Sequence, residues 1–102
     1  MKLIDVTNSY ATHVSKQLEN TDANYVKVYS LGKTLVVHSS AKTHVEIVIV
    51  NKTRELKPFE VEYVLKELLG LSPDSDKISI LRSKGVVEIS MPVTMHHHEE
   101  VV

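Results

Sequence analysis

The stretch of sequence that decides the fold, residues 24–50, reads NYVKVYSLGKTLVVHSSAKTHVEIVIV. Its apolar residues alternate with other residues at period 2, which is typical of strands that present two different faces. The alternation predicts three consecutive strands, over residues 25–31, 34–38 and 44–50. Gly32 suits the tight turn of the first hairpin, and residues 39–43 are predicted to form the loop of the second.

The alternation also sorts the side chains of these strands into two faces. One face is uniformly apolar and carries Val26, Val28, Leu35, Val37, Val45, Ile47 and Ile49. The other face is mixed and carries Tyr25, Lys27, Tyr29, Val36, His38, His44, Glu46, Val48 and Val50. We expect helices to cover the apolar face, and we expect any function of the sheet to lie on the mixed face.

Helices and further strands flank this stretch. Helical spacing predicts helices over residues 8–20 and 58–69, and the second begins at Pro58, a residue that suits a first helical position. Alternation predicts two last strands, over residues 77–82 and 86–91. Residues 2–6 form either a first strand or an N-terminal arm.

These elements predict an α+β fold in the order (β)αβββαββ. We expect a two-layer sandwich in which both helices cover one face of a mainly antiparallel sheet of five or six strands. The element types repeat as β-α-β-β, a pattern that a duplication would produce and that alternating strands also produce by chance. A single domain is predicted over residues 1–92, followed by a flexible His- and Glu-containing tail over residues 93–102.

Composition excludes several kinds of protein. With 12 Lys and Arg against 13 Asp and Glu, the net charge of −1 argues against strong non-specific binding of nucleic acid. The absence of cysteine excludes disulfides, thiolate nucleophiles and zinc–thiolate sites. No segment resembles a secretory signal or a membrane span of about 18 apolar residues, so we expect a cytoplasmic protein.

Two groups of histidines are candidate metal ligands. If His38 and His44 lie opposite each other across the second hairpin, Glu46 lies on the same face, and two imidazoles with one carboxylate suit zinc or non-haem iron. The competing interpretation is a solvated polar cluster on the sheet surface. The three consecutive histidines at 96–98 are typical of loose metal binding by a tail, or of a tail with no such role.

Tyr25, Lys27 and Tyr29 suggest a different ligand. Aromatic rings interleaved with a base on one strand are typical of a stacking platform for single-stranded nucleic acid. Residues in this arrangement also occur as ordinary strand packing or as part of a protein interface. Nucleic acid binding is therefore kept as an alternative function, beside the His/Glu metal site.

The leading hypothesis is a non-enzymatic protein-binding module that forms a homodimer or binds another protein through the open sheet face. That face carries more apolar surface than a solvated sheet needs, and Leu81 and Val86 also contribute to it. An exposed apolar patch of this kind is typical of an interface. The predicted interface residues are Tyr25, Lys27, Tyr29, Val36, Val48 and Val50. The sequence contains no nucleophile elbow or glycine-rich phosphate loop, and we expect no catalytic residue and no cofactor.

Three segments carry a resemblance to known proteins: MKLIDVTNSY (1–10), QLENTDA (17–23) and VKVYSLG (26–32). They resemble a small family of uncharacterised proteins from lactic-acid bacteria and related Gram-positive bacteria, and the resemblance covers most of the chain. It implies a bacterial cytosolic origin. It brings no catalytic motif and implies no activity.

Overall fold

The structure, a computed structural model, describes residues 1–93. Its elements are β1 (Ile4–Asp5), a 3₁₀ turn (Thr7–Tyr10), α1 (Ala11–Asn20), β2 (Tyr25–Leu31), β3 (Thr34–Ser40), β4 (His44–Val50), α2 (Pro58–Leu69), β5 (Ser79–Ser83) and β6 (Val86–Pro92). The strands form one sheet in the order β1-β2-β3-β4-β6-β5, and every neighbouring pair is antiparallel. The α+β class and a six-stranded antiparallel sheet are confirmed, and β1 shows that the N-terminal segment contributes a strand.

Helix α2 covers one face of the sheet, which we call the α2 face. Its apolar residues recur at i, i+3 and i+4, so Val61, Val64 and Leu65 share one side of the helix, and all three are fully buried. They belong to the same core cluster as the buried sheet residues Leu31, Val36, Ile47, Ile49, Val87 and Ile89. The core of the protein therefore lies between α2 and the centre of the sheet.

Helix α1 lies against the other face, which we call the α1 face. Four residues at its start and along its inner side enclose a crevice of about 280 Å³ with β2 and β3: Tyr10, His13, Val14 and Gln17. No residue of α1 is fully buried, and Leu18, an apolar residue near the end of this helix, is 40% exposed. The contact of α1 with the sheet is therefore lighter than that of α2.

The structure corrects the prediction that both helices cover the same face. In the predicted hairpin His38 lies opposite His44, but in the structure His38 lies opposite Ile47, three residues further along β4. Because side chains alternate, a shift by an odd number of residues moves a whole strand's apolar set to the other face. The apolar residues of β2 and β3 at 26, 28, 35 and 37 consequently belong to the α1 face, whereas those of β4, β5 and β6 at 45, 47, 49, 80, 87 and 89 belong to the α2 face.

The two β-α-β-β halves are arranged differently. In the first half β1 pairs with β2, the first strand of the following hairpin. In the second half β4 pairs with β6, the second strand of the following hairpin. The helices of the two halves also lie on opposite faces, so the repeated order of element types is not a repeated structure.

A buried polar network fixes the connection between β4 and α2. Asn51 donates from Nδ2 to Oγ1 of Thr34 at 2.9 Å, and Thr34 donates to Oε2 of Glu60 at 3.3 Å. Arg54 donates to both carboxylate oxygens of Glu60, at 2.8 and 2.9 Å, and the backbone N–H of Lys57 adds a third donor at 2.8 Å. Every buried polar group of this connection therefore has a partner, which is the condition for burying it without a large cost.

Candidate interaction surface

The structure distributes the six predicted interface residues over both faces of the sheet. Tyr25, Lys27, Tyr29 and Val36 lie on the α2 face, because each is directly opposite another α2-face residue in its neighbouring strand. Val36 is fully buried there and cannot contact a partner. Val48 and Val50 lie on the α1 face. The predicted single surface is therefore two surfaces, separated by the same odd shift in register.

Most of the residues of the predicted nucleic-acid platform are engaged with neighbours. Lys27 forms an ion pair with Asp5, with 3.3 Å between Nζ and Oδ2, and the ring of Tyr25 meets the ring of His38 edge to face at 5.4 Å between centroids. Tyr29 is half-buried, and burial, together with its neighbours Tyr25 and Asp5, raises the pKa of its hydroxyl to about 12. Of the three platform residues, only the ring of Tyr25 has the exposure that base stacking needs.

The three predicted metal ligands do not meet. His38 lies on the α2 face, where burial lowers the pKa of its imidazole, while His44 and Glu46 lie on the α1 face. His44 Nε2 and Glu46 Oε2 are 3.9 Å apart and form a surface pair. No group of three or more His, Asp or Glu residues within the described part of the chain is placed to hold a metal ion. The histidines at 96–98 lie outside the described residues.

Among residues 1–93 no element covers the outer half of the α1 face, because α1 reaches β2 and β3 and only its end approaches the start of β4. Four apolar side chains of β4, β5 and β6 define this surface, which we call the open patch: Val48, Val50, Leu81 and Val86. Leu81 is 71% exposed, the largest exposure among the large exposed hydrophobic residues. The acidic side chains of Glu46 and Glu88 are also exposed beside it, so the open patch is apolar with a partly acidic margin.

A second surface was not apparent from the sequence. The connection after β4 and the hairpin between β5 and β6 enclose an open depression of about 580 Å³. Lys52 and Lys84, 32 residues apart in the chain, both line it, whereas Arg54 in the same wall is held by Glu60. The strand order brings these two loops to one end of the sheet, and the sequence by itself gives no signal of their proximity.

No helix within residues 1–93 is long and apolar enough to cross a membrane. The described residues form a small α+β protein with one antiparallel sheet. Helix α2 covers the centre of one face, and α1 covers β2 and β3 on the other. The chain belongs to the DUF1827 family, a domain of unknown function, whose sequence profile matches residues 1–92. This membership confirms the resemblance to a family of uncharacterised proteins.

A solved structure shows the same fold. The crystal structure of a conserved protein of unknown function from Streptococcus thermophilus LMG 18311 matches with a TM-score of 0.86 and 38% sequence identity. The match covers 93% of this chain and 99% of that one. A comparison with curated proteins finds no match. The fold is thus shared with this protein of Streptococcus thermophilus.

Proposed function

We propose that the protein is a non-enzymatic binding module of the cytoplasm that associates with a second copy of itself through the open patch. The observation that carries this proposal is the exposure of Leu81, at 71%, on a sheet face beside other apolar side chains that α1 does not reach. An apolar side chain in the middle of a strand gains about 1.5–3 kcal/mol when it is fully buried. A partner on the open patch would supply that burial.

The placement of the buried polar groups supports a non-enzymatic role. The buried carboxylate of Glu60 is occupied by Arg54, by Thr34 and by the backbone of Lys57. Asn51, the other large buried polar side chain, accepts from Thr53 and donates to Thr34. These groups hold the loop before α2, and their hydrogen bonds are made within the protein.

The contacts of Lys27 and Tyr29 weigh against the alternative of single-stranded nucleic acid binding. The charge that would attract a phosphate is paired with Asp5, and one of the two rings is half-buried. The open patch carries Glu46 and Glu88 beside it, which would repel a polyanion. An apolar protein surface suits the open patch better than a nucleic acid does.

Light scattering on the full chain tests the proposal. We expect a mass that rises with concentration from 11.5 kDa toward twice that value. Leu81→Asp should hold the mass at that of the monomer, because it places a charge at the centre of an apolar contact. Phe59→Asp is the matched control, since Phe59 is an exposed apolar residue on α2 at 51% exposure, away from the open patch, and it should leave association unchanged.

Two results would refute self-association through the open patch. One is a wild-type mass of 11.5 kDa at every concentration up to the solubility limit. The other is a Leu81→Asp protein, folded by circular dichroism, that associates as strongly as the wild type. An equal loss of association in the Phe59→Asp variant would place the contact on α2 instead.

A further inference from the structure

Within residues 1–93, the outer edge of strand β5 has no neighbouring strand, and β5 is long enough to pair with one. The two edges of the sheet are β1 and β5. β1 has two residues, too few to template another strand, whereas β5 has five residues, four of them exposed, and contains no proline. The unpaired N–H and C=O groups of such an edge can pair with a further strand.

The hydrogen-bond pattern identifies which backbone groups of β5 face outward. Next to β4, Asn51 donates to the carbonyl of Gly85, and Val93 donates to the carbonyl of Thr43, both at 2.9 Å. Hydrogen-bonded positions alternate along an antiparallel pair, so the odd-numbered residues of β6 bond to β4 and the even-numbered ones bond to β5.

Glu88 of β6 lies opposite Leu81 of β5. The backbone of Leu81 is therefore bonded to β6, and by alternation the N–H and C=O groups of its neighbours Ile80 and Arg82 point away from the sheet. The outer edge thus offers two donors and two acceptors, with the exposed Leu81 side chain between them on the α1 face.

We propose that β5 pairs with β5 of a second copy, antiparallel about a two-fold axis at Leu81, so that the two sheets join into one. The inference rests on the self-association proposed above, but of the open patch it uses only Leu81 and replaces a contact between sheet faces with pairing along the edge of β5. In this register the outward N–H and C=O groups of Ile80 in one copy form hydrogen bonds with those of Arg82 in the other copy. The two-fold axis generates the same pair a second time. The two Leu81 side chains form a non-hydrogen-bonded pair, the position at which opposed side chains lie closest.

The other registers that use the outward groups are less favourable. A two-fold axis at Arg82 would set two guanidinium groups directly opposite each other, which is destabilising. An axis at Ile80 would set Leu81 opposite Ser79 of the partner copy and leave the most exposed leucine without an apolar neighbour. Only the axis at Leu81 pairs the exposed leucines and also sets the aliphatic stem of Arg82 against Ile80.

The charges that flank β5 favour antiparallel pairing. Asp74, Asp76 and Lys77 precede the strand and sum to −1, whereas Arg82 and Lys84 at its other end sum to +2. Antiparallel pairing sets the acidic start of one copy beside the basic end of its partner, and parallel pairing would set like beside like. Attraction between these ends is screened by salt, so the association should weaken as salt is added.

Cysteine crosslinking tests the register, because the chain contains no cysteine. Leu81→Cys should form a covalent dimer under mild oxidation, since residues opposed at a non-hydrogen-bonded position have Cβ atoms about 4.5–5.5 Å apart. Ser79→Cys and Ser83→Cys are matched controls, because both residues are exposed on the same face but are about 13 Å from their own copies in this register. A crosslink that forms faster in either control than in Leu81→Cys would refute the register.

A proline substitution tests the use of the edge without relying on crosslinking. Arg82→Pro removes an outward N–H that β6 does not use, and proline is tolerated at such edge positions. We expect this variant to be monomeric and folded, while Arg82→Ala, which keeps the N–H, should retain association. A dimer of wild-type strength in the Arg82→Pro variant would overturn the inference.

Val48→Asp separates this inference from the broader proposal. Val48 belongs to the open patch but lies two strands from the edge, so edge pairing should survive this substitution. If Val48→Asp abolishes association and Arg82→Pro does not, the copies stack through the open patch and only the edge register is wrong. A wild-type chain that stays monomeric would refute the self-association itself.

Discussion

At Glu60 a carboxylate that is 3% exposed remains ionised inside the protein. The guanidinium of Arg54, first of all through its hydrogen bonds, lowers the pKa of Glu60 from 4.5 to about 2, and the N–H of Lys57 and the hydroxyl of Thr34 assist. A depressed pKa contributes stability that is complete above the unfolded value and is lost as pH falls through the folded value. The contribution should therefore disappear between pH 4.5 and pH 2.

Glu60→Gln is expected to lower the free energy of unfolding at pH 7 by roughly 2–3 kcal/mol, because it removes the charge that Arg54 and Lys57 stabilise. Urea unfolding of both proteins should show this difference shrinking from pH 4.5 downward. Glu62→Gln is the matched control, since Glu62 is an exposed residue of the same helix. A Glu60→Gln effect that is constant from pH 7 to pH 2 would contradict the assignment.

Gly85 is required for two reasons. Its φ of +72° is disfavoured for other residues, and a Cβ atom would lie 2.7 Å from the carbonyl oxygen of Asn51. Gly70 has a similar φ of +68° but no atom within 4 Å of the Cβ position. Gly70→Ala should cost about 1–2 kcal/mol for the left-handed backbone alone. Gly85→Ala should cost clearly more in chemical denaturation, and equal costs would show that the contact with Asn51 is relieved easily.

At the scale of elements, adjacent residues of strand β4 lie on opposite faces of the sheet and differ in burial. Ile47 is fully buried under α2, while Val48 is half-buried on the open patch. Ile47→Ala should therefore cost about 2–5 kcal/mol. Val48→Ala removes less buried surface and should cost under about 1 kcal/mol. Equilibrium unfolding of the two single variants measures both values, and a larger cost at Val48 would mean that the register of β4 is inverted.

The sequence predicts where most elements lie, because periodicity is a local property. The bounds of β2, β4 and α2 match their predicted ranges, since each combines a clear period with a glycine, proline or polar boundary. The N-terminal part of the predicted first helix is instead a 3₁₀ turn. Local pattern thus yields the elements with small errors at their ends.

The register between strands was not predictable in the same way. Ser39 and Ser40 are typical of loops, but they continue β3, where Ser40 pairs with Tyr25 on one side and Val45 on the other. Pairing with two neighbouring strands outweighs the weak turn preference of serine. This extension shortens the loop, shifts β4 and separates the predicted metal ligands His38 and His44, so one local error changed the candidate site more than it changed the fold.

At the scale of the whole molecule, strand order decides which surfaces are available. β6 lies between β4 and β5, so β5 becomes the outer edge, and β1 at the other edge is too short to pair further. The same order brings Lys52 and Lys84 to one end of the sheet. Neither consequence follows from periodicity, because strand order depends on contacts between segments far apart in the chain.

The shape of the dimer distinguishes edge pairing from stacking. The Cα radius of gyration of one copy is 14.2 Å. In a joined sheet the centres of the two copies lie about six strand spacings apart, about 29 Å, which gives a dimer radius of gyration of about 20 Å. Stacked open patches would bring the sheets to about 10 Å and the molecular centres within about 20 Å, which gives about 17 Å.

Small-angle X-ray scattering on the full chain, at concentrations where light scattering shows the dimer, measures this difference of about 3 Å. The monomeric Leu81→Asp variant supplies the radius of one copy under the same conditions, so that hydration and the residues beyond 93 contribute equally to both values. We expect the dimer to exceed the monomer by about 6 Å if β5 joins the two sheets. An increase of only about 3 Å would mean that the copies stack through the open patch and that β5 remains an unpaired edge.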